Sequence, residues 1–182
     1  MDILQKLQEL YLLFKQQKNK IKVPADFLPL IKKFDFTLEE FTQYLLYPSD
    51  LPYGRCMVYQ SPNFEVILMN WKPRKSSNIH DHGNSFGCVY ILSGDVNNVA
   101  YDKNIQKIGT YKLTKGNYVE VPKGIFHQIE NLNDDFSVSL HFYAPPIVGM
   151  KVVDSEDISK AYIVKPECGA WNPDDENIVR TL

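Results

Sequence analysis

The 182-residue chain predicts a mainly β fold, a small antiparallel barrel or jelly roll, preceded by a helical section. Three observations carry this. From Tyr53 to about Tyr143 the chain is a series of short apolar runs divided by Gly, Asn, Asp and Pro, the texture of many short strands. Residues 1–47 instead repeat apolar positions at three- and four-residue steps, the period of a helix. Pro48-Ser49-Asp50 marks the change from one texture to the other.

The elements follow in order. Leu4, Leu7, Tyr11 and Phe14 form one face of a first helix. Pro24 can open a second, short helix from Ala25, with Phe27, Leu30 and Ile31 as its apolar face. Thr37-Leu38-Glu39-Glu40 matches a capping box, which predicts a third helix to Tyr47, stopping before Pro48. Strands are expected at 55–60, 64–71, 87–92, 95–101, 110–113, 118–121, 126–131 and 137–143. Ser93-Gly94-Asp95 reads as a hairpin turn between two of them. Beyond Pro145-Pro146 the pattern weakens. Val152–Val164 is expected to add a strand, and the polar, acidic residues 165–182 to wrap the surface or be partly disordered. The chain reads as one domain: helices over 1–47 packed on a barrel core at 50–147, and a C-terminal extension at 148–182.

Bulk properties narrow the function. A formal net charge of -2 leaves no basic excess for nucleic acid or an anionic membrane surface. Three cysteines (Cys56, Cys88, Cys168) at wide spacing make neither a disulfide framework nor a CxxC zinc pattern. The start lacks a basic n-region, and no run approaches the roughly 18 apolar residues of a membrane span. A cytoplasmic protein is expected.

Chemistry concentrates on the four histidines, His80, His82, His127 and His141. On a strand, His80 and His82 would share one face about 7 Å apart at Cα, with Asp81 pointing away. Two such imidazoles can converge on one ion, and His127 from another strand would close a third vertex. Such a cap leaves the far side of a metal open for substrate. Ser139, His141 and Tyr143, at i, i+2 and i+4, would share one strand face, with Val138, Leu140 and Phe142 on the opposite, apolar face. That row can fix the tautomer of His141 and aim the Tyr143 hydroxyl.

The residues around these histidines resemble the two cupin motifs. Gly116, Pro122, Gly124, His127 and Asn131 match every fixed position of the second motif. His80, His82, Gly87 and Gly94 match the first, except that Gly87 stands where cupins usually carry a metal-binding Glu. Without that Glu, three neutral imidazoles face an ion that keeps its full charge and at least two open positions. An anionic ligand is then favoured, and a soft thiolate suits iron. Three-histidine cupins of this kind resemble the thiol dioxygenases. Ser77–His82, Val138–Pro146 and Tyr53-Gly54-Arg55 are similar to cysteine dioxygenase, a likeness covering roughly residues 50–147.

The resemblance implies Fe(2+) on His80, His82 and His127, and L-cysteine and O2 as substrates of a cysteine dioxygenase. It implies that Arg55 holds the substrate carboxylate through its forked guanidinium, with Tyr53 beside it. Tyr143 would contact substrate and oxygen, oriented by His141 and Ser139. Trp71 matches a tryptophan near the pocket, its alternative being a plain core residue. Family members acting on 3-mercaptopropionate tend to have Gln in place of Arg55, which tilts the expectation to L-cysteine. Cysteamine, lacking a carboxylate, would leave Arg55 unpaired. Gly87 also occupies the position of a cysteine that links to the tyrosine in animal relatives, so no Cys–Tyr crosslink is expected; Cys88 should point to the other face. The family implies a monomer. A non-catalytic ligand-binding cupin and a zinc hydrolase are the alternatives from other classes.

Overall fold

The computed structural model describes residues 2–182; Met1, the first residue of the expected helical section, lies outside them. Helix α1 (Ile3–Gln17) starts at Asp2, whose carboxylate accepts the Gln5 N–H while the Gln5 side chain accepts from Asp2. Its buried face is Ile3, Leu7, Leu10 and Phe14. Helix α2 (Pro24–Ile31) starts with the expected proline and buries Phe27, Leu30 and Ile31. The third expected helix is a 3-10 segment, Leu38–Tyr44. Glu40 does accept the Thr37 N–H, but Phe41 alone is buried along the segment. Leu38, Phe41 and Tyr44 recur at three-residue steps and pack on the same core, a period that suits the 3-10 pitch rather than the α-helical one.

Strands β1 (Tyr53–Gln60), β2 (Glu65–Trp71), β3 (Lys75–Ser76), β4 (Phe86–Ser93), β5 (Asp95–Tyr101), β6 (Lys107–Thr114), β7 (Tyr118–Val121), β8 (Phe126–Asn131) and β9 (Ser137–Ala144) follow. All eight expected strands are present, three with unchanged limits and five with ends moved by one to three residues. They form two antiparallel sheets of jelly-roll type, ordered β1-β2-β9-β4-β7 and β3-β8-β5-β6, which face each other without closing into a barrel. The expected hairpin turn at Gly94 joins β4 to β5.

The C-terminal expectations need correction. Val152–Val164 is not one strand. It is β10 (Lys151–Val153) and β11 (Ala161–Val164), an antiparallel pair separated by polar Asp154–Lys160. Asp154 and Asp157 accept backbone and side-chain hydrogen bonds within that loop, which turns the chain back. Residues 165–182 wrap back over the sheets and end in β12 (Ile178–Thr181), paired with β11.

Strands β2 and β9 are buried along their whole length, because each of their faces meets a different core. Phe64, Val66, Leu68, Leu140 and Phe142 pack beneath α1 and α2. Ile67, Met69, Trp71 and Tyr143 face the space between the sheets. The helices therefore act as a lid on the outer face, each large side chain they bury contributing about 1.5–3 kcal/mol. The inner face is left for the site. Among the described residues no helix is long and apolar enough to cross a membrane.

A candidate metal centre between the sheets

His80, His82 and His127 come together as expected, all buried, with one ring nitrogen of each within 4.8 Å of the others. The route differs from the one expected. His80 and His82 lie in extended chain before β4, not on a regular strand. His80 makes a single bridge to β8, exchanging both backbone bonds with His127 at 2.9 and 2.8 Å. That exchange sets the two rings side by side. Asp81 does point away, but into protein: it is buried and accepts the Gly83 and Lys151 N–H groups. It thereby pins the bend that carries His82.

The protons on these rings can be placed. His80 Nδ1 lies 2.9 Å from the Asn78 carbonyl, and His127 Nδ1 lies 2.7 Å from Asn98 Oδ1. Both partners only accept, so both Nδ1 atoms carry hydrogen and both Nε2 atoms present lone pairs. These two Nε2 atoms are 3.2 Å apart. With no proton to share, the contact is repulsive unless a cation lies against both. Two nitrogens each about 2.1 Å from one ion, at roughly 100° to each other, would stand about 3.2 Å apart. The donor set therefore fits a divalent metal. His82 has no such orienting bond; its Nδ1 is buried without a partner. Its ring is held by stacking on Tyr143, centroids 4.5 Å apart.

All three rings are neutral at ordinary pH. Burial lowers His80 to about 4, and burial with the neighbouring imidazoles holds His82 and His127 well below the usual histidine range. No carboxylate joins them, since Gly87 stands at the fourth position. A Cβ at Gly87 would run into the Phe142 carbonyl oxygen and lie 2.5 Å from Tyr143 Cδ1, so the bare glycine lets both the β9 backbone and the Tyr143 ring come this close. Cys88 points to the opposite core, its thiol 3.7 Å from the Pro24 carbonyl and pushed up to about 12 by burial.

A second chain of bonds runs beside the triad. The Trp71 Nε1–H donates to Ser139 Oγ at 2.8 Å. Ser139 Oγ, already accepting from Trp71, lies 2.7 Å from His141 Nε2 and has one proton to give it; in that arrangement His141 Nδ1 carries hydrogen and donates to the Tyr143 oxygen, 3.0 Å away. Burial lowers His141 to about 3, which keeps the ring neutral, with one nitrogen to donate and one to accept. The Tyr143 O–H is left free for another acceptor. Burial also raises the Tyr143 hydroxyl far above the usual phenol range, so it stays protonated. Trp71 is thus both core and participant, the indole fixing the row that the sequence pattern showed from Ser139 onward.

One pocket contains the triad together with Tyr53, Arg55, Trp71, His141 and Tyr143. Its apolar walls are Ile67, Met69, Ile129, Ile147 and Met150. Arg55 Nη2 donates to the Pro166 carbonyl at 3.2 Å, and Tyr53 accepts the Ala170 N–H at 2.6 Å. Every residue singled out in the sequence for the site lines this pocket except Ser139, which bonds to two residues that do. Sequence reasoning missed Asn78 and Asn98, the acceptors that set the ligand tautomers. Asn78 lies inside the Ser77–His82 segment, a signal that could have found it; Asn98 has no such signal. It also missed Cys168, Gly169 and Ala170, which line the pocket from the C-terminal extension.

A family model described as cysteine dioxygenase type I matches residues 4–156. The chain belongs to this family. The cysteine dioxygenase type 1 of Danio rerio is 26% identical over 101 residues, 50% of this chain and 50% of that protein. The chain therefore aligns with about half the length of this curated relative. Among solved structures, an uncharacterised conserved protein with a double-stranded β-helix domain from Klebsiella pneumoniae is 17% identical, with a TM-score of 0.53 over 64% of this chain and 93% of that one. TT1209 from Thermus thermophilus is 20% identical, with a TM-score of 0.51 over 60% of this chain and 98% of that one. These two likenesses concern the fold, which is the cupin jelly roll anticipated from the two histidine motifs.

Proposed function

We propose that the protein is an iron(II)-dependent dioxygenase that oxidises L-cysteine with O2 to cysteine sulfinic acid. The observation that carries this is the pair of facing lone pairs on His80 and His127, in a carboxylate-free triad that shares its pocket with Arg55, Tyr53 and Tyr143. Three neutral ligands leave the charge of a bound ferrous ion uncompensated, which favours an anionic thiolate beside it. When bound, such an ion supplies the activation of O2, and both oxygen atoms end on sulfur without an external reductant.

The chain's own residues do the rest. Arg55 has N–H groups beyond the one given to Pro166, and these pair with the substrate carboxylate. Tyr53 already accepts from Ala170, so its own O–H is free to donate to the same carboxylate. Tyr143 keeps a free O–H on the triad side of the pocket and orients the sulfur-bearing end, aimed in turn by His141, Ser139 and Trp71. The apolar walls exclude water and strengthen each of these bonds. The three free cysteines fit a reducing, cytoplasmic setting.

The test is to mix iron-loaded protein, L-cysteine and air, then identify the product and follow oxygen uptake. Parallel runs with 3-mercaptopropionate and cysteamine rank the thiols, L-cysteine being expected first and cysteamine last. Absence of turnover with all three would overturn the proposal.

A further inference from the structure

The family match ends at residue 156. The pocket does not. Residues 165–172 cross its mouth as a strap, tied on both sides to residues that face the interior. The Pro166 carbonyl holds one N–H of Arg55, and the Ala170 N–H donates to the Tyr53 hydroxyl. The Ala170 carbonyl accepts the Asn78 N–H at 2.8 Å, and Asn172 Oδ1 accepts from Asn78 Nδ2 at 2.6 Å. Trp171 packs edge-on against the Tyr53 ring, centroids 5.3 Å apart. Gly169 is required for that packing, because a Cβ there would run into the Trp171 ring. Burial encloses Gly169 and Ala170, while Lys165–Glu167 stay exposed.

We infer that this strap is a specificity element: by holding Arg55 and Tyr53 in a fixed pose it makes the pocket select thiols that carry a carboxylate. The inference rests on the reading of Arg55 and Tyr53 given above. Arg55 is only half-buried on β1, and a free guanidinium there would sample many rotamers. Pro166 removes that freedom before any ligand arrives, and Ala170 does the same for the Tyr53 hydroxyl. The effect reaches the carboxylate end of a ligand most directly: at the metal end the strap bonds only the backbone N–H and side-chain amide of Asn78, not the carbonyl that faces His80, and it makes no hydrogen bond to Asn98. Coupling of this kind is reciprocal. If the ordered strap favours a carboxylate ligand, the carboxylate must in turn order the strap.

Two measurements on iron-loaded protein under nitrogen test this. The first is calorimetric affinity for L-cysteine and for cysteamine, in the natural protein and in Gly169→Ala and Ala170→Pro. The Ala170→Pro change deletes the N–H given to Tyr53. Each variant is expected to weaken L-cysteine by about tenfold, the weight of one hydrogen bond to a charged group, and cysteamine by less than about twofold. Equal loss for both thiols, or no loss for L-cysteine, would overturn the inference. The second needs no variant and covers the case in which neither folds. Hydrogen exchange across residues 165–172 should slow when L-cysteine is added and stay unchanged with cysteamine; equal exchange with both overturns it. Failure of the dioxygenase reading looks different: the affinity difference and the exchange pattern persist, and no sulfinate forms when air is admitted.

Discussion

His80 Nε2 and His127 Nε2 face each other across 3.2 Å with a lone pair on each. The arrangement is set from behind, by Asn78 and Asn98, rather than by any contact between the two rings. Asn98 is buried on β5, and its carbonyl is the only acceptor of the His127 Nδ1 proton among the described residues. Asn98→Ala should let the His127 ring take the other tautomer, which would spoil its ligand atom. Metal affinity, measured by competition with a chelator, should fall about 10- to 100-fold with the fold unchanged by circular dichroism. An unchanged affinity would show that the tautomer is set elsewhere.

The row from Trp71 to Tyr143 makes a separate prediction. Ser139 is its pivot, accepting from the indole and donating to His141. Without the serine proton, His141 is free to place hydrogen on Nε2 and accept from Tyr143 instead, which would consume the tyrosine O–H. Ser139→Ala should lower kcat for L-cysteine about 10- to 100-fold. Iron content and the KM should change much less, because Ser139 touches neither metal ligand nor carboxylate site. A parallel fall in iron content would refute this division of labour.

Gly87 and Tyr143 make a third. They are directly opposed across β4 and β9, and both the Tyr143 ring and the Phe142 carbonyl oxygen lie where a side chain at residue 87 would begin. Gly87→Ala should cost about 1–3 kcal/mol through overpacking of a core with no slack. Urea unfolding measures it, and Tyr143→Leu in the same chain should recover part of the loss. The geometry also separates Cys88 from Tyr143 by the thickness of the sheet, with Cys88 in the helix-side core. Peptide mass spectra of protein exposed to cysteine, iron and air should contain no Cys88–Tyr143 linkage.

The sheets were legible in the sequence because their physics is local. Strands such as Phe126–Asn131 and Tyr118–Val121 alternate or run apolar between turn residues, and their limits came out unchanged. The ligands were legible because His80, His82 and His127 sit among glycines and prolines at fixed spacing. What was not legible depends on distant partners. Asn98 sits in the polar run Asn97-Asn98 and carries no mark of burial; it is inside because His127 needs an acceptor. Cys168, Gly169 and Ala170 have neither period nor charge, and their place is decided by Arg55 and Tyr53, more than 100 residues earlier: the two hydrogen bonds span 111 and 117 residues. Likewise, His80 and His82 meet the metal position without a regular strand, because His80 is bridged to His127 on one side and to Val152 of β10 on the other.

Glu65 supplies the pH prediction. It opens β2 opposite Tyr143 and is buried, with its Oε1 accepting the Ile147 N–H at 3.1 Å. Burial raises its pKa above the ordinary 4.5, and the Ile147 bond and Arg55 only partly oppose this. In that situation the folded protein holds the proton more tightly than the unfolded chain does. Below the ordinary carboxylate pKa both states are protonated and the site costs nothing. As pH rises through the ordinary value toward the raised one, the unfolded chain releases its proton first, so stability falls. Glu65→Gln keeps an acceptor for Ile147 and removes the charge. It should therefore stabilise the protein at pH 7, within about 1–2 kcal/mol, the ordinary size of a single substitution. At pH 4 the gain should shrink toward zero. Thermal unfolding of the two proteins at both pH values decides it: a variant less stable than the parent at pH 7 would mean that Arg55 and Ile147 more than offset the cost of burial.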